Sequence, residues 1–160
     1  MCTDVTVSII TPSYNQGAFL EDTINSVLNQ DYPNIEYIVI DGGSTDESLD
    51  IIKKYAEKLA YWESKPDKGQ TDAINKGFAR ASGEILAWLN SDDLLLPGAV
   101  SAAVNYLTAN PNIGMVYGDA YFINKAGQKI GDFPAAKTDY QKLRRGYVHI
   151  PQQEIGRAHV

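Results

Sequence analysis

Cysteine is almost missing from this chain of 160 residues, with Cys2 its only example. A lone thiol rules out an internal disulfide framework and leaves no CxxC or Cys/His spacing for zinc, which fits a reducing compartment. Basic charge is scarce as well. The formal net charge is -6, and Arg144 with Arg145 are too few to grip a phosphate backbone, so no nucleic-acid partner is expected. No apolar run approaches the roughly 18 residues of a membrane-spanning helix. Met1 to Thr6 carry Asp4 and do not open a signal peptide. A cytoplasmic location, extending to the inner face of a membrane, is therefore expected. The glycine loops of two large nucleotide folds are also absent: no GxGxxG follows the first strand and no GxxxxGK[ST] occurs, which disfavours dinucleotide and P-loop chemistry.

What the chain does have is enough apolar material for one domain, with 44% hydrophobic residues. Val5, Val7 and Ile9 alternate with polar residues as a strand should, and the pattern closes in a polar tip at Thr11 to Asn15. Leu20, Ile24, Val27 and Leu28 have helical spacing, predicting a helix over 18–29. Ile35 to Ile40 reads as a second strand running into Asp41 to Asp46, where Ser44 and Glu47 have capping-box spacing before a second helix. A short third strand is expected over 59–63. A helix over 70–81 follows, with Ile74, Phe78 and Ala81 inward and Gly77 marking a close approach.

The chain is organised around Glu84 to Gly98, EILAWLNSDDLLLPG. Its apolar run predicts a strand covered on both faces, ending in Asn90, Ser91, Asp92 and Asp93. Neighbouring carboxylates at a strand end suit a hard divalent cation, and the same residues also suit a turn and helix cap. A helix over 97–109 follows, then a strand at 115–117 and a hairpin from Ala120 to Phe133. Asp119, after Tyr117 and Gly118, is either a turn residue or one facing a sugar or acceptor.

Alternation of strand and helix over the first 110 residues predicts an α/β fold: a mostly parallel sheet, helices on both faces and a C-terminal hairpin. Right-handed crossovers bring the carboxyl ends of parallel strands to one edge. The tips at Thr11 to Asn15, Asp41 to Asp46, Asp67 to Gln70 and Asn90 to Asp93 should therefore converge. An aromatic at Tyr14, a carboxylate at Asp41 and a cation held by Asp92 read together as a nucleoside-diphosphate site.

VSIITPSYNQGAFLEDTINSVLNQDYPNIEYIVIDGGSTDES, with DKGQTDAINKGFARASGEILAWLNSDDLLLPGA after it, closely resembles the family 2 glycosyltransferases with the Rossmann-like GT-A nucleotide-sugar fold. The match runs from about Val5 to Gln153. The resemblance implies an inverting transfer from a nucleotide-diphosphate sugar, most often a UDP-sugar, to a saccharide or lipid-linked acceptor hydroxyl, commonly in cell-envelope or extracellular polysaccharide synthesis. It implies that the loop at Thr11, Pro12, Ser13 and Tyr14 receives the base and that Asp41 contacts the nucleoside. Gln70, Asp72 and Asn75 would lie near the nucleotide sugar. The DxD-like motif falls on Asn90, Ser91 and Asp92. Asn occupies its first position, so Asp92, aided by Asp93, would carry the Mn²⁺ or Mg²⁺. The family's general base lies in a later acidic motif, past the segment that resembles Ile150 to Gln153, so no base is assigned. Residues 1–153 thus read as the nucleotide-sugar-binding part of a glycosyltransferase domain. Glu154 to Val160, EIGRAHV, has no counterpart there and reads as a non-native tail, the translation of a sequencing adapter. Two other classes remain: a noncatalytic nucleotide-sugar-binding fragment, and a sugar nucleotidyltransferase, disfavoured because TPSYNQG stands where its glycine- and arginine-rich loop belongs.

Overall fold

The computed structural model describes residues 5–135, 141 and 155–157. Cys2, Arg144, Arg145, the stretch 150–153 and the rest of the 154–160 tail lie outside them. In chain order the elements are β1 (Val7–Ser13), α1 (Gly17–Leu28), β2 (Ile35–Asp41), α2 (Ser48–Tyr55) and a short 3-10 turn (Ala56–Lys58). β3 (Tyr61–Ser64), α3 (Gln70–Phe78), β4 (Ile85–Trp88) and α4 (Ala99–Ala109) continue the alternation. β5 (Met115–Val116), β6 (Ala120–Ile123), β7 (Lys129–Phe133) and β8 (Ile155–Arg157) complete the elements. The main sheet runs β3-β2-β1-β4-β8-β5, its first four strands parallel and β8 antiparallel to both neighbours. β6 and β7 form the expected hairpin. Part of the stretch expected to be a foreign tail thus pairs as β8.

Two apolar layers cover the sheet, because alternate strand residues face opposite ways. Val7, Ile9, Tyr37, Val39, Ile85 and Ala87 pack with α1, α2 and α4. Ile10, Ile38 and Ile40 pack with α3 through Ala73, with Phe78 alongside. Helices on both faces are therefore observed. On α3 the buried residues are Ala73 and Gly77, whereas Ile74 is only partly covered. The reason is proximity: a Cβ on Gly77 would stand 2.4 Å from Ile10 Cγ2, so the helix lies nearly on the strand.

Two expectations change. Thr11 to Ser13 belong to the strand, and all of β1 is buried. Pro12 fits there because even-numbered residues of this stretch bond towards β4: the Thr6 and Ile10 carbonyls accept from Ile85 and Leu89. β4 ends at Trp88, so the missing N–H of Pro12 falls where the ladder has already parted. The capping box at Ser44 and Glu47 does not form, and α2 starts at Ser48 without a side-chain bond from Glu47 at its N-cap. Ser44 bonds Asp41 instead, and Asp46 accepts from the Ser48 N–H at 3.0 Å.

At the amino edge of the sheet Glu36 ties three segments together. It accepts from the Ser8 hydroxyl and, at 2.8 Å each, from the Ser82 N–H and hydroxyl. Ser8 Oγ in turn accepts from the Gly83 N–H at 2.9 Å. Burial pushes the Glu36 carboxyl up, but these hydrogen bonds outweigh it and leave the group below the ordinary carboxylate value. A carboxyl with a lowered folded-state pKa stabilises the fold above its unfolded pKa and loses that contribution as pH falls through the folded value. Glu36→Gln should therefore be less stable than the parent at neutral pH, with the gap closing below about pH 4. Urea unfolding measured across pH 3–7 checks this, and a gap independent of pH would contradict it.

Candidate nucleotide-sugar site

The parting of β1 and β4 opens a cleft of about 780 Å³ at the carboxyl edge of the sheet. All four polar tips reach it. Pro12, Ser13 and Tyr14 come from β1 and the bend beyond it, Gly42 from the end of β2, and Pro66 and Asp67 from the loop after β3. Gln70 and Ala73 come from the start of α3, and Asn90, Ser91, Asp92 and Asp93 from the turn after β4. Tyr14 is 62% exposed and offers its ring to the cleft. Ser13 Oγ is buried with no hydrogen-bond partner among the described residues.

The turn after β4 is held from two sides. Asn90 Oδ1 accepts from Gln70 Nε2 at 2.7 Å, and Asn90 Nδ2 donates to Asp93 Oδ2 at 3.0 Å. An aspartate at position 90 could not make that second bond, because a carboxylate only accepts. From beneath, the buried Thr23 hydroxyl of α1 lies 2.9 Å from the Ser91 carbonyl and 3.0 Å from that of Asp93. Sequence reasoning did not single out Thr23. A signal for it exists, since Leu20, Thr23, Ile24 and Val27 share one inward face and only Thr23 is polar.

Four other site candidates do not line the cleft. Thr11 is buried and bonds the Tyr37 hydroxyl at 2.9 Å. Asp41 is fully buried, its carboxylate accepting from the Gly43 N–H at 3.1 Å, the Ser44 N–H at 2.9 Å, the Ser64 hydroxyl at 2.7 Å and the Ser44 hydroxyl. Asp72 staples the first turn of α3, accepting from the Lys68 N–H at 3.1 Å and pairing with Lys76. Those bonds hold its carboxyl below the ordinary value, the Lys68 N–H contributing most. Asn75 is exposed. Gln16, Pro66 and Ala73 line the cleft without having stood out in the sequence; each sits in an ordinary local pattern.

Among the described residues no group of three or more His, Cys, Asp or Glu side chains could enclose a metal. Asp92 is exposed and Asp93 half-buried at the mouth of the turn. One or two carboxylates suit a cation that completes its shell with phosphate oxygens and water, so this donor set fits Mg²⁺ or Mn²⁺ carried with a diphosphate.

A doubly covered, mostly parallel sheet with its cleft at the strand carboxyl ends is the Rossmann-like GT-A architecture. The model of glycosyl transferase family 2 matches residues 8–152, and the chain belongs to that family. An uncharacterized glycosyltransferase of Mycobacterium tuberculosis is 42% identical over 115 residues, covering 71% of this chain and 44% of that protein. One from Haemophilus influenzae is 34% identical over 144 residues, covering 88% and 57%. The chain thus spans about half the length of these curated relatives. Among solved structures, the mannosyltransferase PcManGT of Pyrobaculum calidifontis, in complex with GDP-Man and Mn²⁺, superposes with a TM-score of 0.66 at 29% identity, over 73% of this chain and 36% of that one. S. aureus TarS 1–349 superposes with a TM-score of 0.75 at 24% identity, over 95% and 47%, a likeness of fold. No helix among the described residues is long and apolar enough to cross a membrane.

Proposed function

We propose that this domain binds a nucleoside-diphosphate sugar in the cleft after β1 and β4 and presents it for inverting transfer to an acceptor hydroxyl. The observation that carries the reading is the convergence of four strand-end loops on one cleft, with an exposed aromatic at Tyr14 and two carboxylates at Asp92 and Asp93. Tyr14 and Pro12 would receive the base, and the turn after β4 would face the diphosphate. A divalent cation held there by Asp92 and Asp93 would offset charge growing on the leaving diphosphate. Gln70 and Asn90 would keep Asp93 in place for it. The similarity to PcManGT, solved with GDP-Man and Mn²⁺ bound, supports this assignment. The acceptor would be a saccharide or a lipid-linked one, in cell-envelope or extracellular polysaccharide assembly.

Calorimetric titration of UDP and GDP, with Mn²⁺ or with EDTA, tests the reading. Metal-dependent binding is expected. Asp92→Ala should weaken it about 10- to 100-fold while leaving the melting temperature unchanged, because the side chain is exposed. A folded parent chain that binds no nucleoside diphosphate would overturn the proposal.

A further inference from the structure

Given the nucleotide-sugar reading on which this rests, the geometry points to Asp67, not Asp41, as the carboxylate that reads the base. We infer that Asp67 accepts a base N–H, so that the site prefers bases with a ring N–H next to a carbonyl, namely uracil, thymine and guanine, over cytosine and adenine.

Strand alternation supplies the first argument. Ile10, Ile38 and Ile40 face α3, so Pro12 and Gly42, two residues further along each strand path, continue that face into the cleft they line. Asp41 is one residue out of phase. Its carboxylate lies on the opposite face, fully buried and engaged by Gly43, Ser44 and Ser64. Turning it towards the cleft would strand those donors.

Asp67 sits where Asp41 cannot. A Cβ built on Gly42 would meet Asp67 Oδ2 at 3.1 Å and Oδ1 at 3.2 Å, so the carboxylate stands over the bare face of this glycine. Oδ1 is fixed by the Gly69 N–H at 2.8 Å. No donor among the described residues reaches Oδ2. The result is a half-buried carboxylate, oriented from behind, on the cleft wall that also carries Pro66.

A carboxylate only accepts, and it favours the most acidic donor available. Among neutral bases that is the ring N–H of uracil and thymine, an imide, and of guanine, a lactam. Cytosine and adenine place a ring-nitrogen lone pair at the corresponding position, and their exocyclic amines are weaker donors. Setting a lone pair against a desolvated carboxylate discriminates more strongly than adding or removing an apolar contact.

The test is calorimetry in Mn²⁺ with UDP, dTDP, GDP, CDP and ADP, and with inorganic pyrophosphate as the base-free probe. The proteins are the parent, Asp67→Asn, Asp67→Ala and Asp41→Asn, each melted by circular dichroism to establish folding. The parent should bind at least one of UDP, dTDP and GDP tenfold or more better than CDP and ADP. Asp67→Asn keeps the shape and the oxygen facing Gly69 while supplying an N–H donor. It should lose about tenfold for the nucleotides with a ring N–H, close the gap to CDP and leave pyrophosphate unchanged. Asp67→Ala should flatten the preference without favouring CDP. The inference is overturned if base preference is the same in both Asp67 variants as in the parent, if the parent prefers CDP or ADP, if only pyrophosphate weakens, or if folded Asp41→Asn loses the preference instead. A folded parent that binds none of the nucleotides overturns the proposed function itself.

Discussion

Replacing Asp41 with Ala should lower the free energy of unfolding by about 3 kcal/mol or more. The side chain is fully buried, and its loss leaves the Gly43 and Ser44 N–H groups and the Ser44 and Ser64 hydroxyls without their acceptor. Hydrogen bonds to a carboxylate contribute about 1.5–3 kcal/mol each, and partial rehydration of the turn offsets some of the loss. At about 2–4 °C per kcal/mol in a chain of this size, the melting temperature should fall by about 6–12 °C. The loss should fall on the turn as well as on the global fold, because these bonds join the end of β2 to β3 and set the path into α2. Chemical denaturation followed by circular dichroism checks it; a loss below about 1 kcal/mol would mean that the four donors find other partners.

The second large effect is expected at Gly77. Valine there should cost about 3 kcal/mol, because a Cβ would already stand 2.4 Å from Ile10 Cγ2 and 2.7 Å from Cγ1, and Ile10 is fully buried in the central strand. Alanine should cost less, since about 1 kcal/mol of helix propensity offsets part of the clash. The difference between the two variants exceeds their gap of about 0.6 kcal/mol in helix propensity if crowding against Ile10 dominates. Pushing α3 off the sheet also moves Gln70, whose amide bonds Asn90 across the cleft floor. Nucleotide affinity should therefore fall with stability in Gly77→Val. Urea unfolding and nucleotide titration of both variants would show it, and an unchanged affinity in a destabilised Gly77→Val would mean that α3 yields without carrying Gln70.

The elements were legible wherever one periodicity dominated. The alternation at Val7 and Ile9 and the helical spacing at Leu20, Ile24 and Val27 mark β1 and α1, and parallel connectivity then places the tips on one edge. Gly77 was legible too, as a glycine that weakens a helix and must have a reason. Pairwise choices between polar side chains were not. Ser44 could cap α2 or satisfy Asp41, and only the closeness of a buried carboxylate settles it. In the same way, whether a strand-end aspartate faces a cleft or the layer beneath depends on a one-residue phase that the turn sequence does not disclose. Asp41 and Asp67 each precede a glycine by two residues, yet the first is fully buried and the second stands half-buried on the cleft wall.

On the side of β4 away from β1, the antiparallel strand Ile155–Arg157 lies between β4 and β5. β4 therefore meets a partner on both sides, and its backbone amides are not offered to another molecule. An uncovered strand edge is a template for pairing with a second chain. Removing these three residues, which lie beyond the family match, would turn β4 into such an edge on its β5 side.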